Sequence, residues 1–86
     1  MKNNFSNLYC ISYTSKPEGK KITIQLTCNE ESKLSSLFVI VDNVIVWMSS
    51  EGDGRFIMDH LWEIYPKISE GISSRELIQL LDKMFN

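Results

Sequence analysis

Apolar and polar residues alternate over two neighbouring segments near the start of the chain, Phe5–Thr14 and Lys21–Asn29. Because successive side chains of a strand point to opposite faces of a sheet, this alternation predicts two strands with one apolar face each. The segment between them contains Pro17 and Gly19, which favour a turn. The alternating apolar residues are Phe5, Tyr9, Ile11 and Tyr13 in the first segment and Ile22, Ile24, Leu26 and Cys28 in the second.

The register of this first hairpin follows from its turn. Directly opposed residues share a face of the sheet. A tight turn at Glu18 and Gly19 would join the two strands and keep their apolar faces on the same side. It predicts that Tyr13 lies opposite Ile24, Ile11 opposite Leu26 and Tyr9 opposite Cys28.

A second hairpin is predicted around Asp42 and Asn43, which separate the apolar runs 37–41 and 44–48. A two-residue loop of this composition indicates a type I′ turn. Pairing about the turn places Phe38 opposite Trp47 and Ile40 opposite Ile45 on one face of the sheet. The other face of this hairpin is also apolar and consists of Leu37, Val39, Val41, Val44, Val46 and Met48.

Helical spacing of apolar residues predicts two helices in the second half of the chain. The first extends over 56–65, with Asp53 as N-cap, and should end near Tyr65 because the following proline disfavours helical φ and ψ there. The second extends over about 74–85. Ser73 and Glu76 form a capping box at its start.

Four strands followed by two helices, ββββαα, indicate an α+β fold. The short links within the hairpins predict a mainly antiparallel four-stranded sheet. Eighty-six residues are enough for one hydrophobic core, so residues 1–86 are expected to form a single domain.

Composition narrows the class of protein. The formal net charge is −2, the longest apolar run is 37–41, and the first fifteen residues lack the apolar stretch of a signal peptide. We therefore expect a cytoplasmic protein with no membrane segment. The chain contains no alanine but many Ile, Ser, Asn and Lys residues, which favours an AT-rich genome such as that of a phage or mobile element.

Residues capable of catalysis are few and have no predicted partners. Cys10 and Cys28 are expected on opposite faces of the first hairpin, which argues against a disulfide or a shared metal ion. His60 has no serine or cysteine one helical turn away to activate. We therefore predict no enzyme activity, no metal and no cofactor; an enzyme that uses Cys10 or His60 is a third-ranked hypothesis.

Two groups of charged residues are candidate contacts. Three lysines and an aromatic residue lie at the tip of the first hairpin and could contact a nucleic acid backbone: Lys16, Lys20, Lys21 and Tyr13. An acidic group around the first helix could contact a basic partner: Glu51, Asp53, Asp59 and Glu63. Because the chain has no basic excess, nucleic acid is the less favoured partner.

The second hairpin has more apolar surface than a sheet covered on one side requires. Phe38, Ile40, Ile45 and Trp47 need a cover, which one of the chain's own helices, a second copy or a different protein could supply. We expect a small non-enzymatic protein-binding module, a regulator or inhibitor, that binds another protein or forms a homodimer through these residues. The alternative is a nucleic-acid-associated regulator that uses the basic hairpin tip.

Overall fold

A computed structural model describes residues 5–85 and contains the predicted elements in the predicted order. The elements are β1 (Phe5–Thr14), β2 (Lys21–Asn29), β3 (Ser35–Val41), β4 (Val44–Met48), α1 (Gly54–Ser69) and α2 (Ser74–Phe85). Each strand pairs antiparallel with the next, so the order across the sheet is β1-β2-β3-β4. The predicted α+β fold is confirmed.

Both helices pack on the same face of the sheet. Buried residues from the two central strands and from both helices belong to one continuous core cluster. These residues are Ile22, Ile24, Leu26, Leu37, Val39, Ile57, Leu61, Ile64, Ile68, Ile72, Leu77 and Leu81. The chain's own helices therefore do not cover the second face of the sheet.

The register of the first hairpin differs from the prediction by two residues. Tyr13 lies opposite Ile22 and Ile11 opposite Ile24, while Tyr9 lies opposite Leu26. The predicted two-residue turn is wrong, because the backbone N–H of Ser15 donates to the carbonyl of Lys20 at 2.9 Å and closes a longer loop. A shift of two residues preserves the faces, so the apolar face is the predicted one.

The second hairpin has the predicted turn but contains a bulge. Asp42 and Asn43 have φ values of 49° and 68°, as a type I′ turn requires. Ile40 lies opposite Ile45 as predicted, but the register then shifts, so that Val39 lies opposite Trp47 and Phe38 opposite Met48. The prediction that Phe38 faces Trp47 is wrong, because a bulge exchanges the faces of all later residues in its strand.

Helix α1 begins as predicted and ends later than predicted. The Asp53 carboxylate caps it by accepting the Arg55 backbone N–H at 2.8 Å. The helix continues through Pro66 to Ser69. The predicted end near Tyr65 is wrong because continuation buries Ile68 in the core, and this burial offsets the hydrogen bond that proline cannot donate.

Helix α2 has the predicted range, and Ser73 caps it: its Oγ accepts the Glu76 backbone N–H at 3.2 Å. The short connection from α1 contains Gly71, whose φ is +77°. A Cβ at this position would lie 3.3 Å from the Thr14 carbonyl oxygen and 3.0 Å from Lys16 Cγ. The turn between the helices therefore requires glycine.

We predict that Gly71→Ala lowers the free energy of unfolding by about 1–2 kcal/mol, because alanine is strained at positive φ. Urea unfolding followed by circular dichroism measures this loss. Gly52→Ala is the matched control: nothing lies within 4 Å of a Cβ there, and we expect a change below about 0.5 kcal/mol. Equal effects of the two substitutions would contradict the assigned role of Gly71.

Candidate functional site

The sheet face opposite the helices, called the open face below, is the candidate functional site. Two rows of residues in register cross it from β1 to β4. The rows are Ser12, Thr23, Ile40 and Ile45, and Cys10, Gln25, Phe38 and Met48. The face is therefore polar over β1 and β2 and apolar over β3 and β4. Phe38, Ile40, Ile45 and Met48 form what we call the apolar half.

Polar side chains on the β1–β2 half of the open face bind one another. Ser12 Oγ and Thr23 Oγ1 are 3.0 Å apart, and Gln25 Nε2 donates to Asn7 Oδ1 at 2.7 Å. A polar surface whose hydrogen bonds are already made gains little from a partner that would have to replace them. The apolar half is therefore the stronger candidate for binding.

The apolar half is most exposed on β4, the strand at the edge of the sheet. Ile45 is 60% exposed and Met48 is 58% exposed, whereas their neighbours on β3, Phe38 and Ile40, are half-buried. Val44 and Val46 on the same strand are also exposed. Strand β4 thus presents apolar side chains that the fold leaves uncovered.

Trp47, the fourth residue predicted in this site, lies on the helix side of the sheet. Its indole Nε1 donates to Asp82 Oδ1 on α2 at 2.8 Å, and its ring centroid is 6.5 Å from that of Phe85. The structure therefore brings together three of the four predicted residues, with Met48 in the place expected for Trp47. Sequence alternation missed Met48 because it gives no signal of the bulge.

His60 belongs to an aromatic cluster in the helix layer. Its ring centroid is 4.1 Å from that of Phe56 and 5.6 Å from that of Phe85. Its Nδ1 is 2.9 Å from the Phe56 carbonyl oxygen; because a carbonyl only accepts, the ring nitrogen is the donor. Cys10 is on the open face, so the sheet separates the two residues of the enzyme hypothesis.

The two cysteines are free thiols on opposite faces, as predicted. Cys10 is exposed beside Gln25, whereas Cys28 is half-buried on the side of Leu26. Over residues 5–85, no three side chains of the types His, Cys, Asp or Glu come together as a metal site would require.

The four acidic residues predicted as a contact are exposed but lie in or just before α1, away from the open face. Asp53 serves as the cap of α1. The other three, Glu51, Asp59 and Glu63, remain a candidate contact for a basic partner.

The basic hairpin tip packs against the connection between the helices. Lys16, Lys20 and Lys21 are exposed, but Tyr13 faces the helix layer and its hydroxyl donates to the Ile72 carbonyl at 3.0 Å. A nucleic-acid contact would therefore depend on the lysines, since the Tyr13 ring takes part in packing. The nucleic-acid alternative stays a prediction.

Glu18 fixes the same tip to α2. Its two carboxylate oxygens accept the Ser74 backbone N–H at 2.7 Å and the Ser74 hydroxyl at 2.9 Å. These bonds lower the pKa of Glu18. The pKa of Tyr13 is raised to about 12, first by burial of its hydroxyl and then by the negative charges of Glu18 and Glu76. Neither contact has a local signal in the sequence, because Glu18 and Ser74 are 56 residues apart and Tyr13 and Ile72 are 59 residues apart.

Comparison of the chain with protein-family models, curated protein sequences and solved structures finds no match. Within residues 5–85, neither helix has the length and apolar character that a bilayer span demands.

We predict that Glu18→Gln lowers the melting temperature at neutral pH, because the carboxylate accepts both bonds from Ser74 more strongly than an amide does. The folded-state pKa of Glu18 lies below its unfolded value, so this stabilisation is present above the unfolded pKa and is lost as pH falls through the folded pKa. Thermal melts at neutral and acid pH should show the difference between wild type and variant disappearing in acid. A difference that persists or grows in acid would contradict this assignment.

We predict that Tyr13→Phe lowers the free energy of unfolding at neutral pH by about 1 kcal/mol through loss of the bond to Ile72. Because folding raises the pKa of Tyr13 from 10.0 to about 12, the contribution of this group is complete below pH 10 and lost as pH rises through 12. Urea unfolding at intervals from pH 8 to 12 should show wild type losing its advantage over the variant above pH 10. A constant advantage across this range would refute the prediction.

Proposed function

We propose that this protein is a non-enzymatic protein-binding module, a regulator or inhibitor, whose binding surface is the apolar half of the open face. The observation that carries the proposal is that both helices pack on the other face, which leaves Ile45 and Met48 mostly exposed. Apolar side chains clustered on the surface of a small protein are typical of interaction sites.

Surface energetics support a binding role for the apolar half. The two strands of the apolar half cover roughly 200 Å². Burial against an equal area of a partner removes roughly 400 Å² of apolar surface from water, which contributes about 10 kcal/mol at ~25 cal/mol per Å². Association costs about 4–15 kcal/mol because the two molecules lose translational and rotational entropy. The two quantities are comparable, so this surface suits a reversible complex of the kind that regulators form.

The arrangement of reactive side chains also favours binding over catalysis. A nucleophile and its base must lie within hydrogen-bond reach. Cys10 is on the open face, whereas His60 packs between aromatic rings of the helix layer on the other side of the sheet. The hypothesis of an enzyme that uses one of them alone stays a prediction, as does a phage or mobile-element origin.

The proposal predicts that Ile45→Lys weakens partner binding at least tenfold, because a charge buried in an apolar contact must be desolvated without a partner. The measurement is panning of a displayed random-polypeptide library on the immobilised wild type, followed by titration of the enriched binders. Ile45 is exposed, so the variant should fold with a melting temperature close to that of wild type.

Gln79→Lys is the matched control, since it adds the same charge at an exposed position of α2. Binders enriched on wild type should bind this variant as tightly as wild type. Met48→Lys repeats the test at a second position of the apolar half. Enriched binders that bind Ile45→Lys and Met48→Lys as tightly as wild type would overturn the proposed surface.

A further inference from the structure

We infer that the occupant of the apolar half is a second copy of this chain, packed face to face across a two-fold axis. The inference rests on the proposed function, since it names the partner of the same surface. The result would be a four-layer dimer with two sheets inside and helices outside. Sheets that pack in this way lie about 10 Å apart and interlock the side chains of their inner faces.

The edges of the sheet are poor places for a second copy to bind. Strand β1 has a register irregularity between Asn7 and Tyr9, and the pairing of β3 with β4 has another beside Ile40. Strand β4 is also short, with five residues. Bulges and short edge strands are features that oppose edge-to-edge pairing, so the open face is a better contact for a second copy than either edge.

Charge permits two copies to meet at the open face. Each chain carries a formal net charge of −2, so identical copies repel one another at most surfaces. The two rows that cross the open face contain only Ser, Thr, Cys, Gln, Phe, Ile and Met side chains. Lys21 is on the same face but pairs with Thr14 at its end, beyond the row of Ser12 and Thr23. A second copy can therefore approach over the two rows without burying like charges.

The layout of the face is self-complementary. A two-fold axis that lies between the sheets and runs across the strands places every strand over its own copy. The apolar half then covers the apolar half, and the Ser, Thr and Gln side chains of β1 and β2 cover their own copies. A two-fold interface requires this kind of matching of a surface with itself.

The area of the open face determines how tightly two copies are expected to associate. Four strands about 4.8 Å apart and about six residues long at ~3.4 Å per residue cover roughly 400 Å² per copy. Two copies then bury roughly 800 Å² in total, which is below the range of stable complexes and within that of weak ones. We expect a monomer–dimer equilibrium, mostly monomer at about 1 µM and mostly dimer at about 1 mM.

Sedimentation equilibrium over this concentration range tests the inference. Ile45→Lys should weaken dimerisation at least tenfold, whereas Gln79→Lys should leave it within twofold of wild type. Because the two rows contain no charged side chain, raising the salt concentration should not weaken the contact. A wild type that stays monomeric to about 1 mM would overturn the inference, as would a dimer that Ile45→Lys leaves intact.

Cross-linking through the native thiol locates the contact independently. In a Cys28→Ser background, Cys10 is the remaining thiol and lies on the open face in the row of Gln25 and Phe38. A bis-maleimide that spans about 10 Å should link two copies through Cys10. The matched control replaces both cysteines with serine and places the thiol on α2 as Gln79→Cys, where we expect at least tenfold less cross-linked dimer. Equal cross-linking at the two positions would overturn the face-to-face arrangement.

The outcomes separate this inference from the proposed function. If wild type stays monomeric but enriched polypeptides still require Ile45, the second-copy inference fails and the binding surface stands. If neither a dimer nor an Ile45-dependent binder is found, the second-copy inference and the proposed binding surface both fail. A dimer that depends on Ile45 and cross-links through Cys10 supports both.

Discussion

The apolar layer between one face of the sheet and the two helices determines the rest of this structure. A chain of 86 residues can fill one such layer. Five apolar residues of β2 and β3 that face it are completely buried: Ile22, Ile24, Leu26, Leu37 and Val39. Because only a short connection through Gly71 separates the helices, α1 and α2 pack side by side in this one layer. The open face is the direct consequence, since no further element of the described chain is left to cover it.

Polar contacts over long sequence distances fix the helix layer on the sheet. The end of β1 and the loop that follows it bond to the helix connection and the start of α2 at three places: through the Lys16 backbone, the Tyr13 hydroxyl and the Glu18 carboxylate. Hydrophobic burial alone does not specify direction. The three bonds do, because each requires a particular donor and acceptor at close range. The basic hairpin tip is therefore part of the scaffold as well as a charged surface.

Features with a short-range cause could be predicted from the sequence. Three such features are the turn at Asp42 and Asn43, the Asp53 cap and the Ser73 cap, each of which depends on residues within a few positions of one another. Together with the spacing of apolar residues, these local signals predicted the correct element order and fold class.

Features with a long-range cause could not be predicted in this way. Helix α1 continues past Pro66 because the core accepts Ile68. Trp47 turns toward the helices, where it bonds to Asp82, 35 residues away. Period-two counting assumes an unbroken strand, so it placed Trp47 on the wrong face and left Met48 out of the site. The apolar character of this face was predicted from its other three residues, whereas the sequence left open whether one of the chain's own helices covers it.

The bulge in β4 places Trp47 on the helix side of the sheet and leaves Ile45 and Met48 on the open face. Trp47 and the pairing with β3 attach the strand to the core, so Ile45 and Met48 contribute little to folding while they remain exposed. Charged residues at these positions would cost little stability and would protect an edge strand from aggregation. The folding of a single chain therefore does not account for apolar residues here, which is the physical reason for proposing an interface through the open face.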